Sequence, residues 1–177
     1  MIGGRSAAAG LKSRPSNALL RLLNDADFDL LAPHLEHGEI PSGATFYNTA
    51  DDVDYSYFPC GTGIVSLIVG AEEGREIRAL MVGQEGAVGG VISGGLLPTH
   101  SRVVVTTGGH FAKISISELE KAKARSRALR RLFALCGDHL LSQALQSIAC
   151  NALHSIEERA AKFILRLPIG LALTRCP

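Results

Sequence analysis

The sequence predicts a mainly β protein with flanking helices: a roll or barrel of short strands, preceded by two short helices and followed by one long helix. Three observations support this prediction. Short apolar runs punctuated by glycine fill the middle of the 177-residue chain, and apolar residues at helical spacing lie on both sides of it. Near the end, an apolar stripe at helical spacing continues for about 25 residues.

Composition narrows the class of protein. Hydrophobic residues make up 46% of the chain and charged residues 20%, which is typical of a soluble globular domain with a small appendage. There is no apolar run of about 18 residues, so no membrane span is predicted. The net charge of +1 lacks the basic excess of a self-sufficient nucleic-acid-binding domain.

The four cysteines are widely separated and contain no C-x-x-C pair, so we expect no metal or other cofactor. They suit a reducing cytoplasm. They also exclude an iron-sulfur cluster at the N-terminus, because Cys60 is the first of them. The others are Cys136, Cys150 and Cys176, and we interpret Cys136 and Cys150 as small buried residues of one helix face.

The N-terminal part predicts a tail and two helices. Residues 1–16 are rich in Gly, Ala and Ser, without the apolar core of a secretion signal, and we interpret them as a flexible tail. Residues 17–35 have helical spacing that is interrupted at Asn24-Asp25, where a new helix can be capped.

The central part predicts six strands separated by turn residues. The predicted strands are 44–47, 55–58, 63–69, 77–82, 102–106 and 110–116. Between the fourth and fifth lies the stretch 83–95, which is too rich in glycine for a regular strand. Such a backbone is typical of tight turns or of close approach to a ligand, so this stretch is the first candidate functional segment.

A short helix is predicted from Ser117, and a long one from Ser126 to beyond Asn151. At about 1.5 Å per residue, the long helix exceeds what a roll of this size covers, so we expect part of its stripe to meet a second copy of the chain. The predicted dimer interface consists of Leu129, Phe133, Cys136, Leu140, Leu141, Ala144, Leu145 and Ile148. A capping box, Ser155 with Glu158, then predicts the start of another helix.

Three phrases of the sequence, in this order of elements, resemble the Crp/Fnr-type transcription regulators. They are YFP followed by GIVSL within 57–67, VGQEGAVG at 82–89, and ACN followed by LHSIEER within 149–159. The resemblance implies a double-stranded, jelly-roll-like β-roll with the cyclic-nucleotide-binding-domain fold. It also implies a long helix that pairs two protomers and a C-terminal winged helix-turn-helix that binds DNA.

This resemblance implies a division of the chain. Residues 1–16 are the flexible tail, 17–125 the effector-sensing roll domain, 126–153 the dimerisation helix, 154–167 the start of a second helix after a hinge, and 168–177 an unassigned tail. The resemblance fades after Leu165, so the chain is expected to be truncated or frameshifted before the DNA-binding domain. It would then form a homodimer and reach DNA only through the missing domain or a full-length partner.

The resemblance also defines a candidate effector pocket. Family members that bind cyclic nucleotides use a glutamate for the ribose and an arginine for the phosphate, but here Gly90 occupies the glutamate position. Arg102 lies a few residues beyond the usual arginine position, and its alternative interpretation is a solvated strand residue. We expect Gly89, Gly90, Ser101 and Arg102 to line a degenerate pocket that binds an unknown small molecule, or nothing, rather than a cyclic nucleotide.

A competing hypothesis is a cupin-like metal-dependent enzyme or a small-molecule-binding protein, since short glycine-rich strands also occur there. That site requires two histidines two residues apart on a strand, whereas His34 and His37 lie at the end of a predicted helix. There is no Ser-His-Asp or Cys-His arrangement, so no catalytic residue is predicted and the protein is not expected to be an enzyme. The basic run at 121–131 indicates a solvated helix face or a contact with DNA or an acidic partner.

Overall fold

The computed structural model describes residues 14–70 and 76–166, with side chains described up to residue 161. Most of the predicted tail 1–16 and the unassigned tail 168–177 lie outside the described residues. The strands are β1 (Glu36–Ile40), β2 (Thr45–Tyr47), β3 (Tyr55–Pro59), β4 (Ile64–Gly70), β5 (Glu76–Val82), β6 (Arg102–Thr107) and β7 (Gly109–Ser115). The α-helices are α1 (Ala18–Arg21), α2 (Asp25–Leu31), α3 (Ile116–Arg125), α4 (Arg127–Leu153) and α5 (Ile156–Arg166).

The strands form two antiparallel sheets, in the orders β1-β7-β3 and β2-β6-β4-β5. A single antiparallel bridge between Tyr57 and Val88 extends the smaller sheet beyond β3. Together with the long helix, this arrangement confirms the predicted β-roll with flanking helices.

Strand β1 was not among the predicted strands. Its residues, EHGEI, are mostly polar and lack the apolar alternation that marks a strand in a sequence. It forms at the edge of the smaller sheet because its backbone pairs with β7 from Glu36–Lys113 to Ile40–Gly109. The ion pair Glu36–Lys113 and the polar contact between Glu39 and His110 link the same two strands, at 3.2 Å each.

The core has two parts on opposite faces of the smaller sheet. On the outer face, Phe58 and Ile114 pack with the helices, including Leu20, Leu119 and Phe133. The space between the two sheets is filled by a second apolar cluster. Its buried members are Tyr47, Val53, Val65, Leu80, Val82, Val88, Val103, Val105, Phe111 and Ile116.

The helices begin at the polar residues that the sequence places before them. The side chains of Asn17, Asn24, Ser115 and Ser126 each accept a backbone N–H three residues ahead. The capping box is present: Ser155 N–H donates to Glu158 at 2.9 Å, and Glu158 N–H donates to the Ser155 hydroxyl at 3.3 Å. The predicted starts at Asn24, Ser126 and Ser155 match the observed ones, while α3 begins at Ile116, one residue before the predicted Ser117.

The residues of the predicted dimer interface fall into a buried group and a more exposed group along the long helix α4. Leu129, Phe133 and Cys136 are 0%, 1% and 7% exposed and belong to the core of their own chain. These three side chains, which the predicted interface includes, have almost no surface left for a partner. Beyond them, Leu140 and Ala144 are half-buried, and Leu141, Leu145 and Ile148 are exposed.

Candidate effector loop and helix face

Residues 83–101, between β5 and β6, form the segment that we call the glycine-rich loop. Its first part is held by the start of α1. Asn17, which is fully buried, donates from Nδ2 to the carbonyls of Gly86 and Pro59, both at 2.9 Å. The amide of Ala18 donates to the Gln84 carbonyl at 2.7 Å. The Asn17 side chain thereby joins α1, β3 and the loop in a satisfied polar contact.

The next part of the loop pairs with β3. Tyr57 N–H donates to the Val88 carbonyl at 2.8 Å, and Val88 N–H returns to the Tyr57 carbonyl at 2.9 Å. The Ser56 hydroxyl donates to the carbonyl of Gly89. At the far end, Thr99 exchanges backbone hydrogen bonds with Ala50 and Asp51 in the turn between β2 and β3, at 2.8 and 3.0 Å.

Lys123 of α3 holds the middle of the loop. Its side chain is only 8% exposed, and Nζ donates to the Val91 carbonyl at 2.8 Å and to Glu120 at 2.7 Å. The ammonium also lies 5.1 Å from the centroid of the Phe133 ring. A buried ammonium is tolerated because these three partners replace the water it loses. Lys123 therefore connects the loop with α3 and α4.

Backbone conformation and close packing within the protein explain why the predicted pocket has glycine at two positions. Gly89 and Gly90 have positive φ angles of 88° and 56°. A Cβ at Gly89 would overlap the Tyr55 carbonyl oxygen and approach the Tyr47 ring, and a Cβ at Gly90 would reach Ile116. Their lack of side chains is thus used for close packing of the loop on β3 and α3.

The other two predicted pocket residues face different surroundings. Arg102 directly precedes Val103, which lies in the roll interior, so the strand alternation directs Arg102 to the opposite face. There it pairs with Glu76 of β5, Nη2 to Oε2 at 2.5 Å. Ser101 is buried, and its backbone groups bond with the Thr99 hydroxyl. Ser101 and Arg102 thus have different contacts from those of Gly89 and Gly90.

An open cleft of about 470 Å³ lies where the loop meets the start of α3. Its lining is Val53, Asp54, Tyr55, Gly94, Gly95, Ser115, Ile116 and Ser117. Asp54 is its charged member, and the lining contains no lysine or arginine, so the cleft does not suit a phosphate group.

Two cysteines of the described part of the chain, Cys60 and Cys136, are buried. Burial raises the pKa of the Cys60 and Cys136 thiols, which favours the unreactive protonated form. Within residues 14–70 and 76–166, no three His, Cys, Asp or Glu side chains lie close enough together to hold a metal ion. None of the helices in these ranges is long and apolar enough to span a bilayer.

Three exposed apolar residues in the second half of α4 lie on one side of the helix. Leu141, Leu145 and Ile148 are 60%, 57% and 64% exposed and follow one another at spacings of four and three residues. Such spacing places them along a single helix face. They adjoin the buried stripe without being covered by the roll.

Comparison with known proteins bears on the fold. No family model matches the sequence, and no curated protein matches it significantly. Solved structures do match. The c-di-GMP responsive regulator CLP of Xanthomonas campestris is 14% identical with a TM-score of 0.65, over 81% of this chain and 72% of that one. A CooA mutant from Carboxydothermus hydrogenoformans is 13% identical with a TM-score of 0.60, over 90% and 99%.

A third structure is a cyclic nucleotide-binding domain from Methylobacillus flagellatus, which is 16% identical with a TM-score of 0.62, over 80% of this chain and 84% of that one. The chain has the cyclic nucleotide-binding fold. The predicted fold is thereby confirmed, and the similar structures include regulators of the kind that the sequence resembles. At these identities the likeness gives the fold, while the effector has to be argued from the residues of the site.

Sequence reasoning missed the two residues that position the loop, Asn17 and Lys123. Lys123 follows Leu119 by one helical turn, so a charged residue interrupts the buried face of α3. This interruption is the sequence feature that could have identified Lys123. Asn17 was recognised only as the beginning of a helical segment. Its contacts with Gly86 and Pro59 join residues far apart in the sequence, which spacing alone does not reveal.

Proposed function

We propose that this chain is the sensing and dimerisation module of a bacterial transcription regulator of the Crp/Fnr type. The observation that supports the proposal best is a β-roll joined to a 27-residue helix whose second half leaves an apolar face uncovered. In this proposal residues 17–125 are the sensor, residues 126–153 pair two protomers, and Ser155 begins the helix after a hinge. DNA reading is assigned to no residue between 14 and 166.

The proposed occupant of the helix face is a second copy of this chain. A two-fold dimer uses the same patch on both protomers, which a single straight face with repeated leucine and isoleucine suits. The helix is about 40 Å long at 1.5 Å per residue, and Leu141, Leu145 and Ile148 extend beyond the part packed on the roll. Leu129, Phe133 and Cys136 are left out of the proposed interface.

Sedimentation equilibrium of the full chain tests the dimer. The double variant Leu141→Ser, Leu145→Ser removes two apolar contacts per protomer and is expected to shift the dimer toward monomer by at least about a hundredfold in dissociation constant. The matched control is Leu135→Ser, an equally exposed leucine on another face of the same helix. A wild-type chain that stays monomeric up to high micromolar concentration would contradict the proposal.

For the sensor, we propose that the effector is not a cyclic mononucleotide. Recognition of a cyclic phosphate needs an arginine that is free to approach it, whereas Arg102 is paired with Glu76 on the other face of β6. Gly90, at the position that the resemblance gives to a ribose-binding glutamate, has no side chain to bind a hydroxyl. The interior of the roll is occupied by apolar side chains.

Calorimetry with cyclic AMP and cyclic GMP tests this part of the proposal. We expect no heat of binding at ligand concentrations up to about 1 mM, where a functional site of micromolar affinity would saturate. Micromolar binding that Arg102→Ala abolishes and Arg131→Ala leaves intact would contradict it.

The loop and the long helix are joined in a way that suits signalling. Lys123 fixes the Val91 carbonyl, and its own helix precedes α4 by one residue, Ser126. A ligand that moved the loop would have to change these contacts, which is how two sites become coupled through one packed element.

A further inference from the structure

The Ile92 side chain of the glycine-rich loop contacts α4 at Gly137, one turn before the exposed face. Gly137 is buried within α4, and a Cβ added there would overlap the outer atoms of the Ile92 side chain. Ile92 therefore lies directly on the helix backbone, in a notch that exists because residue 137 has no side chain. The Ile92 side chain is nevertheless 70% exposed, so most of its surface is presented outward.

The position of the notch relates Ile92 to the exposed face. Gly137 precedes Leu141 by one turn, and Leu141 is followed by Leu145 and Ile148. Because residue 137 has no side chain, the helix face has a gap there, and the Ile92 side chain of the loop fills it. A single apolar ridge results, with Ile92 as its first member and three residues of α4 as the others.

The area of the ridge argues for the same arrangement. Three exposed leucine or isoleucine side chains contribute on the order of 100 Å² each, well below the roughly 800 Å² that each partner buries in a specific interface. The helix face alone is therefore small for a stable dimer. Ile92 adds a side chain of similar exposed size, and its loop carries two further exposed leucines, Leu96 and Leu97.

We propose that a second copy of this chain docks on the ridge formed by Ile92, Leu141, Leu145 and Ile148, so that the glycine-rich loop is itself part of the dimer interface. This rests on the proposed dimerisation through α4 and extends it to the loop. Lys123 holds the Val91 carbonyl and so fixes the residue next to Ile92. Displacement of the loop then changes the interface directly, without any bending of α4.

Dimer dissociation constants of the full chain, measured by sedimentation equilibrium, test this inference. Ile92→Ala is expected to raise the constant about tenfold, and the control Leu135→Ala less than about twofold. Because Ile92 is mainly exposed, the variant keeps its fold, which circular dichroism and urea unfolding check. An unchanged constant for Ile92→Ala, with a dimer that the Leu141→Ser, Leu145→Ser variant dissociates, would overturn the inference and leave the proposed function standing.

A double-mutant cycle isolates the notch. Gly137→Ala forces Ile92 out of its place, so it is expected to weaken the dimer about fivefold in the wild-type background. In the Ile92→Ala background the notch is empty and Gly137→Ala is expected to change the constant less than about twofold. Equal effects in both backgrounds would overturn the role of the Ile92–Gly137 contact, and a monomeric wild type would overturn both proposals together.

Discussion

The two halves of helix α4 have the same apolar periodicity and opposite surroundings. In residues 127–140 the stripe is covered by the protein's own core, through Leu129, Phe133 and Cys136. In residues 141–153 the exposed apolar side chains include Leu141, Leu145 and Ile148. Apolar periodicity therefore predicts an apolar helix face, but it does not predict whether the same chain or another one covers that face.

The two halves differ because the elements that pack on α4 cover only its first half. The first half packs on α3, on the smaller sheet through Phe58, and on the glycine-rich loop. Gly137 is the last buried residue of the helix, and Leu140 is the last one packed against both apolar clusters. Beyond that point about 20 Å of helix continues at 1.5 Å per residue.

The largest expected effect is a difference in the free energy of unfolding between variants in the two halves of α4. Phe133→Ala removes a ring that is 1% exposed, packs edge-on against Phe58 and lies under the Lys123 ammonium. We expect it to lower the free energy of unfolding by about 3–5 kcal/mol. The matched change in the second half, Leu145→Ala, is expected to cost less than about 1 kcal/mol in the monomer.

Urea unfolding measures both values. So that association does not contribute, Phe133→Ala is made in the Leu141→Ser, Leu145→Ser background and Leu145→Ala together with Leu141→Ser. Similar losses for the two variants would mean that both halves are covered within one protomer, and the comparison would fail.

A smaller effect is expected at the contact between the first half and the loop. Lys123→Met keeps the apolar stem but leaves the Val91 carbonyl without its donor, at an expected cost of about 1–3 kcal/mol. Amide exchange should become faster at residues 89–95 and remain unchanged in the second half of α4. Lys123→Arg is the control that keeps a donor. Unchanged exchange in the loop of the methionine variant would show that Lys123 does not hold it.

The smallest expected effect concerns the reactivity of the thiols. Cys136, in the first half, is buried and its pKa is raised, whereas Cys150, in the second half, is half-exposed. At pH 8 a maleimide should modify Cys150 at least about tenfold faster than Cys136, because the thiolate is the reactive form. Mass mapping over time measures the two rates. As pH rises above about 9, the fold should lose the stability that the neutral Cys136 thiol contributes, since its folded pKa lies above the unfolded one.

Much of the fold could be predicted from the sequence because its signals are local. Asn24 and Ser126 start helices by their own side-chain caps, and β4 and β6 have the β-branched residues of a strand. Strand β1 could not, because its pairing with β7 rather than its composition makes it a strand.

The candidate site was less predictable, because its residues act over long sequence separations. Glycine density correctly marked the loop as special, but only the structure shows that Gly89 and Gly90 make room for Tyr55 and Ile116. Arg102 illustrates the same limit: its partner Glu76 lies on β5, which is separated from β6 by β4 in the sheet, 26 residues away in the sequence.

Disulfide cross-linking tests directly whether the second half of α4 binds a second copy of the chain. In a Cys150→Ser, Cys176→Ser background, Ile148→Cys places a thiol on the proposed ridge, and Gln146→Cys places one about 200° away around the helix. Two helices paired side by side across a two-fold axis bring residue 148 close to its own copy, within the Cα separation of about 7 Å that a disulfide spans. We expect rapid formation of a covalent dimer on mild oxidation for Ile148→Cys and none for Gln146→Cys. A dimer formed from Gln146→Cys, with none from Ile148→Cys, would contradict it.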